Sequence, residues 1–154
     1  MFLRHFRLGF FKRFDLNNLE EKAWFELFLQ RGANIWARDY KLNSILHHLP
    51  STSGALEKLK LLDSLVEDSR WLEQNIEGET PFARIAANGE DSDLIDFLLA
   101  RSDRENTINK VDAYGLTPLG YFEFLHPDFE HRPRMKKHQL IYEKLIAAGA
   151  KLVP

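Results

Sequence analysis

Leucine-rich segments recur four times along the chain, and each one resembles the end of an amphipathic helix. They are LFLQRGANI (27–35), DSLVEDSRWL (63–72), DFLLARS (96–102) and EKLIAAGAKL (143–152). Two of them continue directly into Gly-Ala, at Gly32-Ala33 and Gly149-Ala150. Glycine commonly ends a helix in the left-handed conformation, so Gly149 is predicted to be such a stop. The pattern predicts a chain of helices that each bury one apolar side.

A second motif, G-x-T-P, occurs twice in the same register relative to these segments. It lies in NIEGETPFARIAANG (75–89) and in DAYGLTPLGYF (112–122), and Thr80 and Thr117 are 37 residues apart. Glycine accepts a positive φ in a tight turn, threonine caps the following helix, and proline is tolerated at its first position. The motif therefore predicts a turn followed by a helix, with positive φ at Gly115 and a further turn at Asn88-Gly89.

A weaker copy lies one period earlier, in DYKLNSILHHL (39–49). It keeps Asp39 and has Ser44 in place of threonine, Leu42 in place of glycine and Ile45 in place of proline. A still more degenerate copy begins near Gly9, and its second helix is formed by the apolar residues Trp24, Phe25, Leu27, Phe28 and Leu29. Repetition at this period is typical of stacked helix pairs, because one pair cannot bury its own apolar face.

The predicted helix pairs are 10–18 with 20–31, 43–50 with 56–68, 79–88 with 92–101, and 116–125 with 136–148. The projecting loops, or fingers, between the pairs are 33–42, 69–78 and 102–115. Residues 50–56 form a long turn within the second pair. An irregular insert at 125–137 interrupts the last pair.

These motifs resemble the ankyrin repeat, which reads D-x-x-G-x-T-P-L-H-x-A-A and closes with L-L-x-x-G-A. The copy at 112–122 matches at Asp112, Gly115, Thr117, Pro118 and Leu119, and the copy at 75–89 matches at Gly78, Thr80, Pro81 and Ala86. Only His47 matches the motif histidine, which in the family packs between repeats; Ala83 and Gly120 replace it elsewhere. The resemblance implies an all-α solenoid of stacked antiparallel helix pairs with projecting hairpin-like loops. It implies one domain over 1–154, with approximate repeats at 6–38, 39–74, 75–111 and 112–152.

Composition narrows the function classes. The chain has 154 residues, 44% of them hydrophobic and 29% charged, which suits one folded domain. It has no cysteine, and its formal net charge of -2 argues against binding nucleic acid. The sequence shows no evident signal peptide and no apolar run long enough to cross a membrane, so we expect a soluble protein that is cytoplasmic or exported as an effector.

Two segments carry other candidate chemistry. The insert contains His126, Asp128, Glu130, His131 and His138, but its prolines and spacings match no metal motif, so it is predicted to be an exposed polar loop without a metal. The aromatic and basic residues 1–14 are predicted to cover the open end of the core, with membrane contact as the alternative. No catalytic or phosphate-binding motif occurs, which predicts a protein without enzyme activity or cofactor.

Aromatic residues in the predicted fingers point to an interface with another protein. Exposed tryptophan and tyrosine often anchor such interfaces, although the two finger tryptophans have the alternative of packing one finger on the next. The resemblance implies that partners contact the fingers and first helices. The predicted contact residues are Trp36, Arg38, Tyr40, Lys41, Asn43, Trp71, Gln74, Ile76, Glu77, Glu79, Ala87, Asn88, Val111, Ala113, Tyr114, Leu116 and Phe124.

The predicted function is a non-enzymatic module, monomeric when free, that binds a partner protein through this concave face. It would act as an inhibitor or immunity protein of a partner enzyme. One alternative is a bacterial effector or adaptor that docks on a host protein or a membrane surface. Another is a metal-binding or enzymatic protein that uses the 125–138 insert.

Overall fold

The computed structural model describes residues 18–51, 54–63, 65, 68–89, 91–101, 104–127 and 136–153. Within these ranges the chain is all-helical and contains no strand, as predicted. The α-helices are α1 (Leu19–Gln30), α2 (Ala55–Asp63), α3 (Pro81–Asn88), α4 (Ser92–Leu99), α5 (Arg104–Thr107), α6 (Pro118–Leu125) and α7 (Lys136–Ala147). Two 3₁₀ helices cover Leu46–Ser51 and Asp68–Leu72. Residues 10–17 of the helix predicted at 10–18, the N-terminal segment 1–14 and residues 128–135 of the insert lie outside the described residues.

The chain divides into two compact units, Met1–Val66 and Glu67–Pro154. In the first unit, α1 begins at the cap residue Asn18, whose side-chain oxygen accepts hydrogen bonds from the N–H groups of Glu20 and Glu21. The 3₁₀ helix Leu46–Ser51 packs against α2. The buried apolar side chains of this unit are Phe25, Ile35, Ile45, Leu46, Leu49, Ala55, Leu59 and Leu62.

Two predicted helices of the first unit differ from the structure. The helix predicted at 43–50 is a 3₁₀ helix, in which His47 N–H donates to the Ser44 carbonyl and His48 N–H to the Ile45 carbonyl. Ser44-Ile45 lacks the threonine cap and the proline that start a regular helix in the other two copies. The helix predicted at 56–68 ends at Asp63.

The second unit contains two successive helix pairs. The first helices, α3 and α6, pack against each other, and so do the second helices, α4 and α7. Within each pair, α3 contacts α4 and α6 contacts α7. The buried side chains at these contacts are Phe82, Ile85, Leu94, Ile95, Leu98, Leu119, Phe122, Ile141 and Leu145. The segment predicted as the finger 102–115 contains the short helix α5, which sequence periodicity did not indicate.

The glycine stops are confirmed. Gly149 has φ +91° after α7, where its N–H donates to the Ile146 carbonyl and Ala150 N–H donates to the Leu145 carbonyl. Gly32 ends α1 in the same way with φ +74°, and Gly89 forms the turn after α3 with φ +66°. These left-handed residues let the chain reverse direction without leaving the last helical carbonyls unpaired.

Candidate functional site

Three five-residue loops have the same hydrogen-bonded backbone: loop 1 is 39–43, loop 2 is 75–79 and loop 3 is 112–116. In each, the N–H of the first residue donates to the carbonyl of the fifth, over 3.0 Å from Asp39, 3.0 Å from Asn75 and 2.9 Å from Asp112. The Oδ1 atom of that first residue also accepts the N–H groups of the third and fifth residues, at 2.8 to 3.0 Å. An aspartate or asparagine side chain therefore holds every loop closed.

The fourth residue of each loop lies in the left-handed region. Its φ is +61° at Leu42, +75° at Gly78 and +79° at Gly115, which confirms the prediction for Gly115. The two glycines are needed for different reasons. A Cβ on Gly78 would lie 2.3 Å from the backbone nitrogen of Ala113, whereas one on Gly115 would meet nothing within 4 Å.

Threonine starts the helix after loops 2 and 3, as predicted. The Oγ1 atom of Thr80 accepts the N–H of Ala83 at 3.2 Å, and that of Thr117 accepts the N–H of Gly120 at 3.1 Å. After loop 1, Ser44 instead donates from both its N–H and its hydroxyl to Nδ1 of the buried His47, over 3.1 and 2.9 Å. These two hydrogen bonds place the His47 ring against the turn of its own repeat copy.

Large side chains at the loop tips are exposed. Tyr40 is 87% exposed, Ile76 63% and Tyr114 77%, and Phe124 at the end of α6 is 70% exposed. Among the other predicted contact residues, Arg38, Lys41 and Ala113 are exposed. Those with intermediate exposure are Trp36, Gln74, Glu77, Asn88, Val111 and Leu116.

Loops 2 and 3 lie side by side in the second unit. The N–H of Ala113 donates to the carbonyl of Glu77 at 3.0 Å. The side-chain amide of Gln74 donates to the carbonyls of Gly78, at 2.5 Å, and of Val111, at 3.0 Å. We call Ile76, Glu77, Ala113 and Tyr114 together the loop face.

Four predicted contact residues are buried, and placing them at an exposed interface was wrong. Asn43 is buried because its amide donates to Asp39 Oδ2 at 3.1 Å, and Ala87 lies on α3, which packs against α6. Trp71 is 1% exposed, and the Arg101 guanidinium lies 4.9 Å from its ring centroid. The fourth residue, Glu79, is part of a polar network described below.

The burial of Trp71 follows from its position in the repeat. Ile35, Trp71 and Ile108 each precede the first residue of a loop by four positions, and all three are buried. The 3₁₀ helix that carries Trp71 contacts α5 in the next finger, which agrees with the alternative that this tryptophan packs one finger on the next. Aligning the three copies at this position would have identified it as a core residue.

Buried Glu79 organises two residues that the sequence prediction missed, Arg84 and Tyr121. Its Oε2 atom accepts from the Asn75 amide at 2.7 Å and from the Arg84 guanidinium at 3.1 Å. The Tyr121 hydroxyl also donates to this carboxylate. Burial, with the hydrogen bond to Glu79 and the charges of Glu79 and Glu77, raises the pKa of Tyr121 to about 12, although Arg84 opposes the shift.

Arg84 and Tyr121 occupy one position of the repeat, nine residues after the first residue of loops 2 and 3. Both have intermediate exposure, whereas Glu79 is buried. The repeat register was again the signal that could have identified them. The predicted contact set contains the finger tryptophans, the residues that flank the turn and those late in the first helix, but neither Arg84 nor Tyr121.

Among the described residues of the insert, Leu125, Pro127, Lys136 and Lys137 are exposed, as predicted, whereas His126 is not. His126 is half-buried, and its Nε2–H donates to the Ala87 carbonyl at 2.8 Å. Its ring centroid lies 4.2 Å from that of His138 and 4.9 Å from that of Phe122. No group of three metal-ligating side chains occurs in the described ranges, and Asp128, Glu130 and His131 lie outside them.

The chain matches no protein-family model, and no curated protein shows significant similarity to it. The resemblance to ankyrin repeats therefore depends on the residues and loops of this chain alone. Among the described helices, none is long and apolar enough to cross a membrane.

Proposed function

We propose that this chain is a non-enzymatic binding module of the ankyrin-repeat type, which holds a partner protein on its loop face and thereby acts as an inhibitor of that partner. Two features support the repeat architecture. Three loops with the same hydrogen bonds recur after 36 and 37 residues, and in the second unit first helices pack on first helices and second helices on second helices.

The exposure of Ile76 and Tyr114 on rigid loops is the observation that carries the binding function. Neither side chain makes the turn, since the loop-closing hydrogen bonds come from Asn75 and Asp112 and the left-handed residues are Gly78 and Gly115. Large apolar side chains held outward on a fixed backbone lose little conformational entropy when a partner covers them. Tyr40, at the second position of loop 1, is exposed in the same way.

The test is affinity purification from the source organism with the wild-type chain, followed by titration of the captured partner. Changing Tyr114 or Ile76 to alanine is expected to weaken binding by about 2 kcal/mol, or roughly thirtyfold in Kd, with little change in thermal stability. Leu98→Ala and Leu145→Ala should do the opposite, losing roughly 2 to 5 kcal/mol of stability through a cavity in the core.

Asp96→Ala and Glu143→Ala on the second helices are the surface controls. Both are expected to bind as the wild type does. If both the Tyr114 and the Ile76 variants bind normally while either control abolishes binding, the partner uses another surface and the proposal is wrong.

A further inference from the structure

We infer that the outer edge of loop 3, formed by the carbonyls of Tyr114 and Gly115 and the space beside Gly115, pairs with a backbone segment of the partner that presents N–H donors to it. This inference rests on the proposed function and adds where on the loop face the partner pairs and which groups it presents there. It follows from the way in which loop 2 already receives loop 3 within the second unit.

Loop 2 shows what an edge of this kind binds. The carbonyl of Glu77, its third residue, accepts the N–H of Ala113 at 3.0 Å, and the carbonyl of Gly78, its fourth residue, accepts the side-chain amide of Gln74. Glycine at the fourth position lets the backbone of loop 3 come close, since a Cβ there would lie 2.3 Å from the Ala113 nitrogen. The edge of loop 2 therefore takes two hydrogen-bond donors and a closely packed backbone.

Loop 3 has the same edge, and no described residue pairs with it. Its third and fourth residues are Tyr114 and Gly115, and neither carbonyl accepts a hydrogen bond from the part of the chain that the structure describes. A Cβ on Gly115 would meet no atom within 4 Å, although its φ of +79° is close to the +75° of Gly78. Because both loops have the same hydrogen-bonded backbone, the space beside Gly115 corresponds to the space that Ala113 fills beside Gly78.

The exposure of equivalent positions agrees with an edge that is covered in loop 2 and open in loop 3. The third and fourth residues have intermediate exposure in loop 2 and are exposed in loop 3. The fifth residue is buried in loop 2, where it is Glu79, and has intermediate exposure in loop 3, where it is Leu116. A partner segment on this edge would bury the apolar surface of Leu116 and Tyr114, which is favourable.

Both donors have to come from the partner. Loop 2 obtains its second donor from Gln74, which precedes the loop, but Val111 stands at that position before loop 3 and has no amide. The partner is therefore expected to present one N–H to the Tyr114 carbonyl and a second N–H or a side-chain amide to that of Gly115, with no proline at the first contact. Main-chain hydrogen bonds of this kind contribute affinity, and the neighbouring side chains give specificity.

The side chain next to this contact is expected to be apolar. In the second unit the hydroxyl of Tyr121, from the repeat that carries loop 3, reaches the fifth residue of loop 2, Glu79. The fifth residue of loop 3 is Leu116, which offers neither a charge nor a hydrogen-bond acceptor on its side chain. An aliphatic or aromatic partner side chain therefore suits this position.

The experiment is selection of a random peptide display library on the folded full-length chain, followed by titration of synthetic copies of the enriched peptides. Gly115→Asn places a side chain in the open space at the edge, and asparagine tolerates the left-handed conformation. We expect it to raise Kd by about tenfold or more. Gly32→Asn is the matched control, since Gly32 has φ +74° and an added Cβ there also meets no atom within 4 Å. It should change Kd by less than about twofold.

The donors are tested on the peptide. Exchange of one amide at a time for an ester removes a single N–H without adding bulk, and at least one exchange is expected to raise Kd by about fivefold, because a loop 3 carbonyl loses its donor. Lys110→Ala removes the exposed cation of the same finger and should change Kd by less than about twofold, since the edge consists of backbone acceptors. Melting curves of each variant confirm that it is folded.

The outcomes separate the inference from the function on which it rests. Peptides that are weakened by Tyr114→Ala but bind Gly115→Asn as tightly as the wild type would overturn pairing at this edge and leave the loop face as the binding surface. Peptides that tolerate ester exchange at every position would overturn the inference in the same way. Peptides insensitive to Tyr114→Ala, Ile76→Ala and Gly115→Asn would overturn the proposed function as well.

Discussion

Loop 1 and loops 2 and 3 reach the same backbone with different residues. Loop 1 has Leu42 in the left-handed conformation, whereas glycine has it in the other two, yet all three share the hydrogen bonds from the first residue. The helices that follow do differ. Ser44-Ile45 leads into a 3₁₀ helix, and Thr80-Pro81 and Thr117-Pro118 lead into regular α-helices.

This comparison separates two functions within one motif. The aspartate or asparagine closes the loop, because its side-chain oxygen accepts two backbone N–H groups in every copy. The threonine and proline determine which helix starts afterwards, because the threonine Oγ1 accepts one of the first free N–H groups and the proline has no N–H that needs a partner. Glycine at the fourth residue lowers the free-energy cost of the left-handed conformation but does not determine the loop's shape, since Leu42 gives the same backbone. Each of these roles can be tested by substitution.

The largest effect is expected at Gly78. Alanine there would have its Cβ 2.3 Å from the Ala113 nitrogen, so loop 3 would have to move, and the left-handed conformation adds strain. We expect a loss of at least about 3 kcal/mol in the free energy of unfolding. Gly115→Ala meets no atom within 4 Å and should lose only about 1 kcal/mol. Urea titration of both variants measures the difference, and equal losses would show that packing between the loops contributes nothing.

The second-largest loss of stability is expected when the first residue of loop 2, Asn75, is changed to aspartate. Asn75→Asp would place a second carboxylate where the amide now donates to Glu79 at 2.7 Å, with both positions buried. We expect a loss of about 2 kcal/mol at neutral pH from this repulsion.

The repulsion should also give Asn75→Asp a characteristic pH dependence. It raises the pKa of one of the two carboxyls in the folded chain above its unfolded value, so lowering the pH through that pKa should restore stability. Asp112→Asn is the control, because loop 3 has Leu116 at the position of Glu79. Stability measured against pH would contradict the assignment if both variants behaved alike.

Asp39 is the first residue of loop 1, as Asn75 is of loop 2, and here the change to be tested is from a carboxylate to an amide. Burial alone would raise the pKa of Asp39, but the hydrogen bonds from Asn43, His48 and Lys41 together lower it. A carboxyl with a lowered pKa in the folded state contributes stability above its unfolded pKa, and that stability is lost as the pH falls through the folded pKa. Asp39→Asn should therefore cost about 1 kcal/mol at pH 7.

The cost of Asp39→Asn should begin to shrink as the pH falls below the unfolded pKa of about 4. It should disappear only when the folded wild-type carboxylate, whose pKa is lower, is protonated as well. Thermal melts over that range, compared with those of Asp93→Asn at an exposed position, measure the change. A cost that stays constant with pH would mean that the charge of Asp39 does not stabilise loop 1.

The smallest effect is expected at Leu42. Glycine there relieves the left-handed strain of a leucine, although it also increases the entropy of the unfolded chain. The two terms should leave a net stabilisation of about 0.5 kcal/mol. The reverse change, Gly115→Leu, should destabilise. If Leu42→Gly lowers the melting temperature, the leucine side chain contributes contacts that outweigh the strain.

Features governed by neighbours in sequence could be predicted from the sequence alone. The threonine caps, the turn at Asn88-Gly89, the left-handed glycines at 115 and 149 and the all-helical content were predicted and are confirmed. They depend on the backbone preferences and short-range hydrogen bonds of the residues concerned. The exposure of Tyr40, Ile76 and Tyr114 was likewise expected, because the motif leaves these positions free of any role in the turn.

Burial and pairing between distant residues were decided only by the tertiary structure. Trp71 is in the core although a tryptophan in a loop is typical of an interface, and Glu79 is buried because Asn75, Arg84 and Tyr121 meet its carboxylate. His126 reaches the Ala87 carbonyl 39 residues away. The residues next to a side chain in sequence determine which conformations it prefers. Whether that side chain is buried depends on which distant residues the fold places against it, because desolvation is a property of the packed chain.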